Sequence, residues 1–324
     1  MRNVFKDDKY QGLQKKNYFE GWYFKSVTSN QNISIAVIPG VSLAIDDRHA
    51  FIQVFVYTNN TLEKSVHNYY FRFDINDFKA DKHKFEVSIK DNKFSLEGIT
   101  LNLEDEDTVI RGNYQISNPV KLPQSLLQPT IMGPFSYLPL MECYHGILSM
   151  NHTISGTIYY NDIAIDFNEG RGYIEKDYGK SFPKGYVWVQ TNHFEKADTS
   201  LFLSVAAIPY LGITFNGFIV NFYHNLKHYR FATYNGSKIK VEDIGQKEVR
   251  YSFRKRKYTL EVEAKIDDFV TLASPKFGKM DHTIKEGLSG FVKLKLMKKG
   301  IVIFEGTSGS AGIEIMKRPN IKDR

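Results

Sequence analysis

The stretch GRGYIEKDYGKSFPKGYVWVQTNHF, Gly170–Phe194, carries two segments with strand spacing. On a strand, side chains two apart share a face. Tyr173, Glu175 and Asp177 then point one way and Lys176 the other, while Tyr186, Trp188, Gln190 and Asn192 share a face of the second segment. Two carboxyls on one face beside aromatic rings have two readings. One is a solvated edge or an inter-domain salt bridge with Arg171, Lys180 or Lys184; the other is a tuned acid in an apolar pocket.

Strand signals continue in both directions from this stretch. Lys84–Lys90 and Lys93–Ile99 alternate around Asp91-Asn92, and His152–Tyr160 and Ile163–Phe167 around Asn161-Asp162, which reads as two hairpins. Similar runs extend from Ile33–Ile38 to Ala311–Met316, with no long segment of helical period and no alternation of strand and helix. The pattern predicts an all-β chain of antiparallel barrels or sandwiches. At 324 residues two barrels side by side are expected, with domains at 16–182 and 183–318. One region breaks the rhythm. Asn118–Met150 holds Pro119, Pro123, Pro129, Pro134 and Pro139 among apolar residues, so it is predicted as a long loop. It reads as a lid over a cavity or as a buried crossover packing the two halves.

Composition narrows the function. The chain is 42% hydrophobic and 14% aromatic, enough to build sheet cores. Its one cysteine, Cys143, excludes an intramolecular disulfide framework and a cysteine-based zinc site, and fits a reducing compartment. The charged N-terminus lacks the apolar core of a secretory signal, and no apolar run reaches the ~18 residues of a spanning helix. The net charge of +7 is mild. Basic density peaks at Lys247–Tyr258 and in the tail Lys317–Arg324; the first reads as one outward strand face. No nucleic-acid-binding signature accompanies it, so no nucleic-acid partner is expected. A cytoplasmic location is expected, with peripheral contact at a membrane surface left open.

Other chemistries have little support. Ser149 lies near His145 but no nucleophile elbow surrounds it, the nine histidines are dispersed, and GTSGSAG (Gly306–Gly312) lacks a phosphate-loop lysine. No metal site is expected. Two short motifs stand out. In FEGWYFK (Phe19–Lys25), Glu20, Trp22 and Phe24 share a face. In MECYHG (Met141–Gly146), Glu142 and His145 form either an acid/base pair or a pair pinning the loop.

Together these blocks resemble the tocopherol cyclase family. The matching segments are YFEGWYFK (Tyr18–Lys25), AVIPGVS (Ala36–Ser42), HAFIQVF (His49–Phe55), IMGPFSYLPLMECYHGILSMNHTISG (Ile131–Gly156) and the opening stretch. SLFLSVAAIPYLG (Ser200–Gly212), NGFI (Asn216–Ile219), YRFATYNG (Tyr229–Gly236) and SGSAGIEI (Ser308–Ile315) follow in order. Tyr178 departs from the pattern, since many members carry Trp there. The family is akin to a wider group with two lipocalin-like barrels that includes acid-catalysed carotenoid hydratases. EKDYG (Glu175–Gly179) is a looser version of their acidic tract.

The resemblance implies a cofactor-independent cyclase. A proton adds to an alkene of a prenylated hydroquinone, and the phenol oxygen captures the cation to close a chromanol-type ring. No cofactor or metal is required, and the partner is a hydrophobic small molecule. Asp177 is the first candidate acid, Glu175 the second and Glu142 the third. Tyr173, Tyr178, Tyr186 and Trp188 would offer ring faces to the cation, with Trp22 also binding substrate. Gln190, Asn192 or His193 would hold the phenol, with His145 nearby. One of the two strand acids is expected to line an apolar cavity roofed by part of Asn118–Met150. The alternatives are a non-catalytic lipid- or isoprenoid-binding lipocalin-like protein and a related terpenoid hydratase or cyclase.

Overall fold

Alternation of inward apolar and outward polar side chains shapes part of each sheet, while other strands are buried along most of their length. Gly98–Glu104, GITLNLE, buries Ile99, Leu101 and Leu103 and leaves Thr100, Asn102 and Glu104 outside. A computed structural model describes residues 4–59, 64–267 and 269–316. The basic tail Lys317–Arg324 lies outside the described residues. Among the described residues there is no α-helix, only short 3₁₀ turns and strands.

The chain divides into two compact units. The first runs to Phe182 and takes in Ala273–Thr283; the second holds Pro183–Leu272 and the chain from Ile284 onward. The first unit begins with β1 (Phe19–Val27), β2 (Ile33–Leu43), β3 (Arg48–Asn59) and β4 (Lys64–Phe73). It continues with β5 (Phe78–Ala80), β6 (Glu86–Ile89), β7 (Asn92–Ser95), β8 (Gly98–Glu104) and β9 (Val109–Ser117). β10 (Cys143–Tyr160), β11 (Ile163–Asp166) and β12 (Gly170–Gly179) complete it. The order is β4-β3-β2-β1-β12-β10-β9-β8-β7-β6-β5, with β11 on β10. The edge strands β4 and β5 are consecutive in the chain, joined by a 3₁₀ turn at Ile75–Asp77. Side chains from β1 to β12, among them Phe24, Val54, Phe94, Leu101, Ile158 and Ile174, share one buried core. The sheet is lipocalin-like, curled around its own apolar face.

The second unit repeats the plan. Its strands are β13 (Tyr186–Thr191), β14 (Ser200–Tyr210), β15 (Ile213–His224), β16 (Lys227–Ala232) and β17 (Lys238–Ile244). Then come β18 (Glu248–Lys255), β19 (Tyr258–Lys265), β20 (Val270–Lys276), β21 (Lys279–Lys298) and β22 (Ile301–Met316), of which Ala273–Thr283, the end of β20 and the start of β21, belongs to the first unit. The order is β16-β15-β14-β13-β22-β21-β19-β18-β17, with β20 on β21. Its edges, β16 and β17, are again consecutive, and its opening strand β13 again pairs with its closing strand β22. The basic run Lys247–Tyr258 falls on β18, where Val249, Tyr251 and Phe253 are buried. Arg250 on the outer face pairs with Glu248 and Glu263.

Two local expectations need correcting. The hairpin between β6 and β7 turns at Lys90-Asp91, one residue early, because Asn92 is buried and working. Its amide donates to the Ile89 carbonyl at 3.0 Å and its oxygen accepts from the Asn102 N–H at 2.7 Å. The proline-rich loop ends at Glu142 rather than Met150, since β10 begins at Cys143 and the last proline of the loop is Pro139. Within the loop Ile131, Met132 and Met141 are buried, while Leu126, Leu127 and Leu140 are exposed. It is anchored where Tyr144 OH donates to the Leu138 carbonyl at 2.8 Å.

Candidate functional site

β12 lies between β1 and β10, so each of its side chains has neighbours on both sides. The register places Asp177 opposite His145 on β10 and Gly21 on β1, and Glu175 opposite Ile147 and Tyr23. Directly paired residues share a face, which brings His145 onto the face of Tyr173, Glu175 and Asp177. His145 Nδ1 lies 3.0 Å from Asp177 Oδ1, and Nε2 lies 3.7 Å from Glu175 Oε2. Tyr173 OH donates to Glu175 Oε2 at 2.6 Å, and Cys143 Sγ lies 3.6 Å from Asp177 Oδ1. The His145 main-chain N–H points to Met132 Sδ at 3.2 Å, so the proline-rich loop packs directly on this residue.

Electrostatics assign the proton. Burial works against an imidazolium, but the Asp177 and Glu175 carboxylates, the Asp177 hydrogen bond and the charge of Asp7 outweigh it, and His145 is pushed up to about 9. Burial, reinforced by Glu175, raises the Tyr173 phenol well above its ordinary range. Burial, reinforced by Asp177, does the same for the Cys143 thiol, which makes it a weak nucleophile. At neutral pH the cluster is an imidazolium held by two carboxyl groups. Ligand atoms of His145, Glu175 and Asp177 lie within 4.8 Å of one another. A metal ion there would have to displace the proton from His145 and break its bond to Asp177, so the set is better described as an ion-pair cluster.

The sign of the pH dependence follows. A histidine whose folded value exceeds its unfolded value of about 6.5 stabilises the fold fully below that pH. The contribution is lost as pH rises through about 9. Denaturant midpoints should therefore fall between about pH 6.5 and 9.5, and His145→Gln should flatten that decline. A His145 resonance titrating near 6.5 in the folded protein would contradict the assignment.

The other face of the same three strands holds a second polar cluster. Glu20 Oε1 and Lys176 Nζ are 2.7 Å apart, and both side chains are fully buried. The segment Val4–Gly12, outside the domain expected from sequence, is bound to them through its main chain. Lys176 donates to the Asp7 carbonyl at 2.9 Å and to that of Lys9. Glu20 accepts from the N–H groups of Gln11 at 2.7 Å and Gly12 at 3.0 Å, and from Tyr18 OH at 2.5 Å. Trp22 Nε1 donates to the Asp8 carbonyl at 2.9 Å. Lys176 Nζ also sits 4.9 Å from the Trp22 ring centre and 4.6 Å from that of Tyr178.

The residues proposed from sequence fall on both faces of the first unit's sheet and in the second unit. Asp177, Glu175, Tyr173 and His145 form one cluster in the first unit. Trp22 and Tyr178 lie on the opposite face of that sheet, because strand alternation places them with Lys176, whose charge their rings already face. Trp188, Gln190, Asn192 and His193 are buried in the second unit, on or just after β13. Glu142 enters through its main chain, its carbonyl accepting from the N–H of Lys180 at 2.7 Å and of Ser181 at 3.2 Å. A cavity of about 450 Å³ in the first unit is lined by the loop residues Pro123, Pro129 and Ile131, with Asp7, Phe85 and Gly146. Its wall includes the strand carrying His145, at Gly146–Leu148, and not Glu175 or Asp177, contrary to expectation for this cavity. Sequence reading missed Asp7 and Cys143 as neighbours of the cluster. The position of Cys143 one strand repeat before His145 was the available signal; Asp7 had none.

A family model described as Tocopherol cyclase-like matches residues 89–316. Among solved structures, CghA crystallised with Sch210972 is similar with TM-score 0.61 and 10% identity, over 93% of this chain and 89% of that one. A putative AttH from Nitrosomonas europaea has TM-score 0.56 and 12% identity, over 97% and 96%. Kievitone hydratase from Nectria haematococca has TM-score 0.53 and 10% identity, over 93% and 89%. At these identities the likeness is one of fold.

Proposed function

We propose, for a chain that belongs to the tocopherol cyclase-like family, an acid-catalysed ring closure on a prenylated hydroquinone, carried by the His145–Glu175–Asp177 cluster. The reaction adds a proton to one alkene carbon, forms a tertiary cation on the other, and joins the phenol oxygen to it. The phenol proton is returned, so the product is an isomer of the substrate. What the protein must supply is a proton donor shielded from water, a route to reload it, and a surrounding that does not quench the cation.

The observation that supports this reading is a carboxyl pair bridged by one histidine and mostly withdrawn from solvent. The Glu175 side chain is 7% exposed and that of Asp177 22%. Asp177 holds His145 Nδ1 at 3.0 Å, which fits a role as anchor. Glu175, deeper and touched by Tyr173 OH, is the proposed donor, which reverses the order suggested by the sequence. The proton is drawn from the His145 imidazolium, whose Nε2 at 3.7 Å is placed to pass it to Glu175, which delivers it to the alkene and is left a carboxylate beside neutral His145. The phenol proton of the substrate then refills His145, closing the cycle without a net change in protons. The ring of Tyr173 lies next to the donor and offers its face to the cation.

A non-catalytic carrier would have no use for a buried acid pair with its own proton reservoir, which favours the enzyme. A hydratase would use the same donor but let water capture the cation; one of the fold neighbours is named a hydratase. Incubation of the protein with a prenylated hydroquinone, followed by mass analysis, separates the three. An isomer of equal mass supports cyclisation, a product heavier by one water means hydration, and retention of unchanged substrate leaves a carrier.

A further inference from the structure

The segment before β1 delivers a third carboxylate to the back of the cluster. Asp7 is only 7% exposed, although it follows a single 3₁₀ turn near the start of the chain. Its position is fixed from three sides. Its carbonyl accepts from Lys176 Nζ at 2.9 Å, and its carboxylate Oδ1 accepts from Tyr178 OH. On the third side its Oδ2 sits 2.4 Å from where a Cβ on Gly146 would be. A Cβ at 146 would force this carboxylate to shift from its seat, and Gly146 is the residue next to His145.

We propose that Asp7 is a positioning residue of the site: its carboxylate, held against Gly146 by Tyr178 and by the Lys176-bound segment Val4–Gly12, keeps the proton on His145. The segment is then a functional part of the site, and its docking sets the charge state of the cluster. This rests on the reading of His145, Glu175 and Asp177 as the site. The groups facing His145 are Asp177 and Glu175 from β12, Cys143 through Asp177, Tyr173 through Glu175, Met132 from the loop, and Asp7 from the opposite side. The direction of the His145 shift, to which the charge of Asp7 contributes, agrees with the geometry.

The test is a proton NMR titration of His145 in the full chain, its resonance assigned by loss in His145→Gln. Asp7→Asn should lower the midpoint by about 0.5 or more, as expected for losing a nearby unit charge in a partly screened interior. Asp8→Asn, in the same segment but not against Gly146, should leave the midpoint in place. Should Asp7→Asn fail to fold, Gly146→Ala, which pushes the carboxylate off its seat, must lower the midpoint in the same direction. An unmoved midpoint in a folded Asp7→Asn or Gly146→Ala protein overturns the inference. Titration decides the role of Asp7, and turnover decides the reading beneath it. A wild type that converts no hydroquinone overturns that earlier reading while His145 still reports on Asp7. Where turnover exists, the alkaline limb of its pH profile should move with the titration in Asp7→Asn.

Discussion

Glu175→Gln lowers turnover of a prenylated hydroquinone by roughly 10²–10⁴-fold, the usual contribution of a positioned general acid. The amide preserves size and still accepts from Tyr173 OH, so the fold and the 2.6 Å contact are retained while the group that takes the proton from His145 and delivers it is lost. Asp177→Asn has a smaller effect, about 10–10²-fold. It keeps a hydrogen-bonding partner for His145 at 3.0 Å but removes the charge that holds the imidazolium. The His145 titration then separates the two variants. Loss of either carboxylate removes a negative charge that supports the imidazolium, but only Asp177→Asn also weakens the hydrogen bond at Nδ1. Turnover at wild-type rate by Glu175→Gln, with unchanged unfolding midpoint, would sink the assignment of Glu175 as donor. If Asp177→Asn is the more damaging, the roles of the two acids are reversed and the order suggested by sequence stands.

The largest effect on stability is expected at Lys176. Its ammonium and the Glu20 carboxylate are both fully buried, 2.7 Å apart. Removing one member of such a pair leaves a charge in a medium that cannot solvate it, which costs about 3–5 kcal/mol. Lys176→Met should therefore shift the denaturant midpoint sharply downward. Lys176→Met combined with Glu20→Gln should recover much of the loss, because the buried charge is gone and Gln can still accept from the N–H of Gln11 or Gly12. The two changes are strongly coupled, so a double variant as unstable as the sum of the singles would contradict the ion-pair account. Hydrogen exchange at Gln11 and Gly12 gives an independent readout. Those amides bond to Glu20 and should lose protection in any variant that releases Val4–Gly12.

The two clusters are linked by the geometry of one strand. Residues 175 and 177 face one side of β12 and residues 176 and 178 the other. The sheet is thin enough that the ion pair holding Val4–Gly12 and the histidine cluster are served by adjacent residues. A change that loosens Lys176 therefore disturbs Asp7, and through Gly146 the cluster itself. Variants of Lys176 should be tested for turnover only where their folding is shown to be intact.

Periodicity carried much of the architecture. His152–Tyr160 and Ile163–Phe167 read as strands around a tight turn at Asn161-Asp162, where β10 and β11 meet with φ of 45° and 38° at the two residues. It also placed Glu175 with Asp177, and Lys176 away from them, because those relations depend only on the two-residue repeat of one strand. It did less well where a residue's burial is set from a distance. Asn92 looked like a turn residue until its side chain was seen bonding to both Ile89 and Asn102. Cys143–Met150 was absorbed into the loop because the proline density before it obscured its own alternation.

By itself, then, the sequence determined an all-β chain, membership of the tocopherol cyclase-like family, and a strand that presents two acids on one face. Only the tertiary structure decided what those acids touch. The pairing register of β10 with β12 puts His145 opposite Asp177 from 32 residues away, and a segment near the start of the chain brings Asp7 to Gly146. Local spacing fixes which side of a strand a residue faces. The identity of its partner depends on which distant strand hydrogen-bonds alongside and in what register, and that is set by the burial of the whole core.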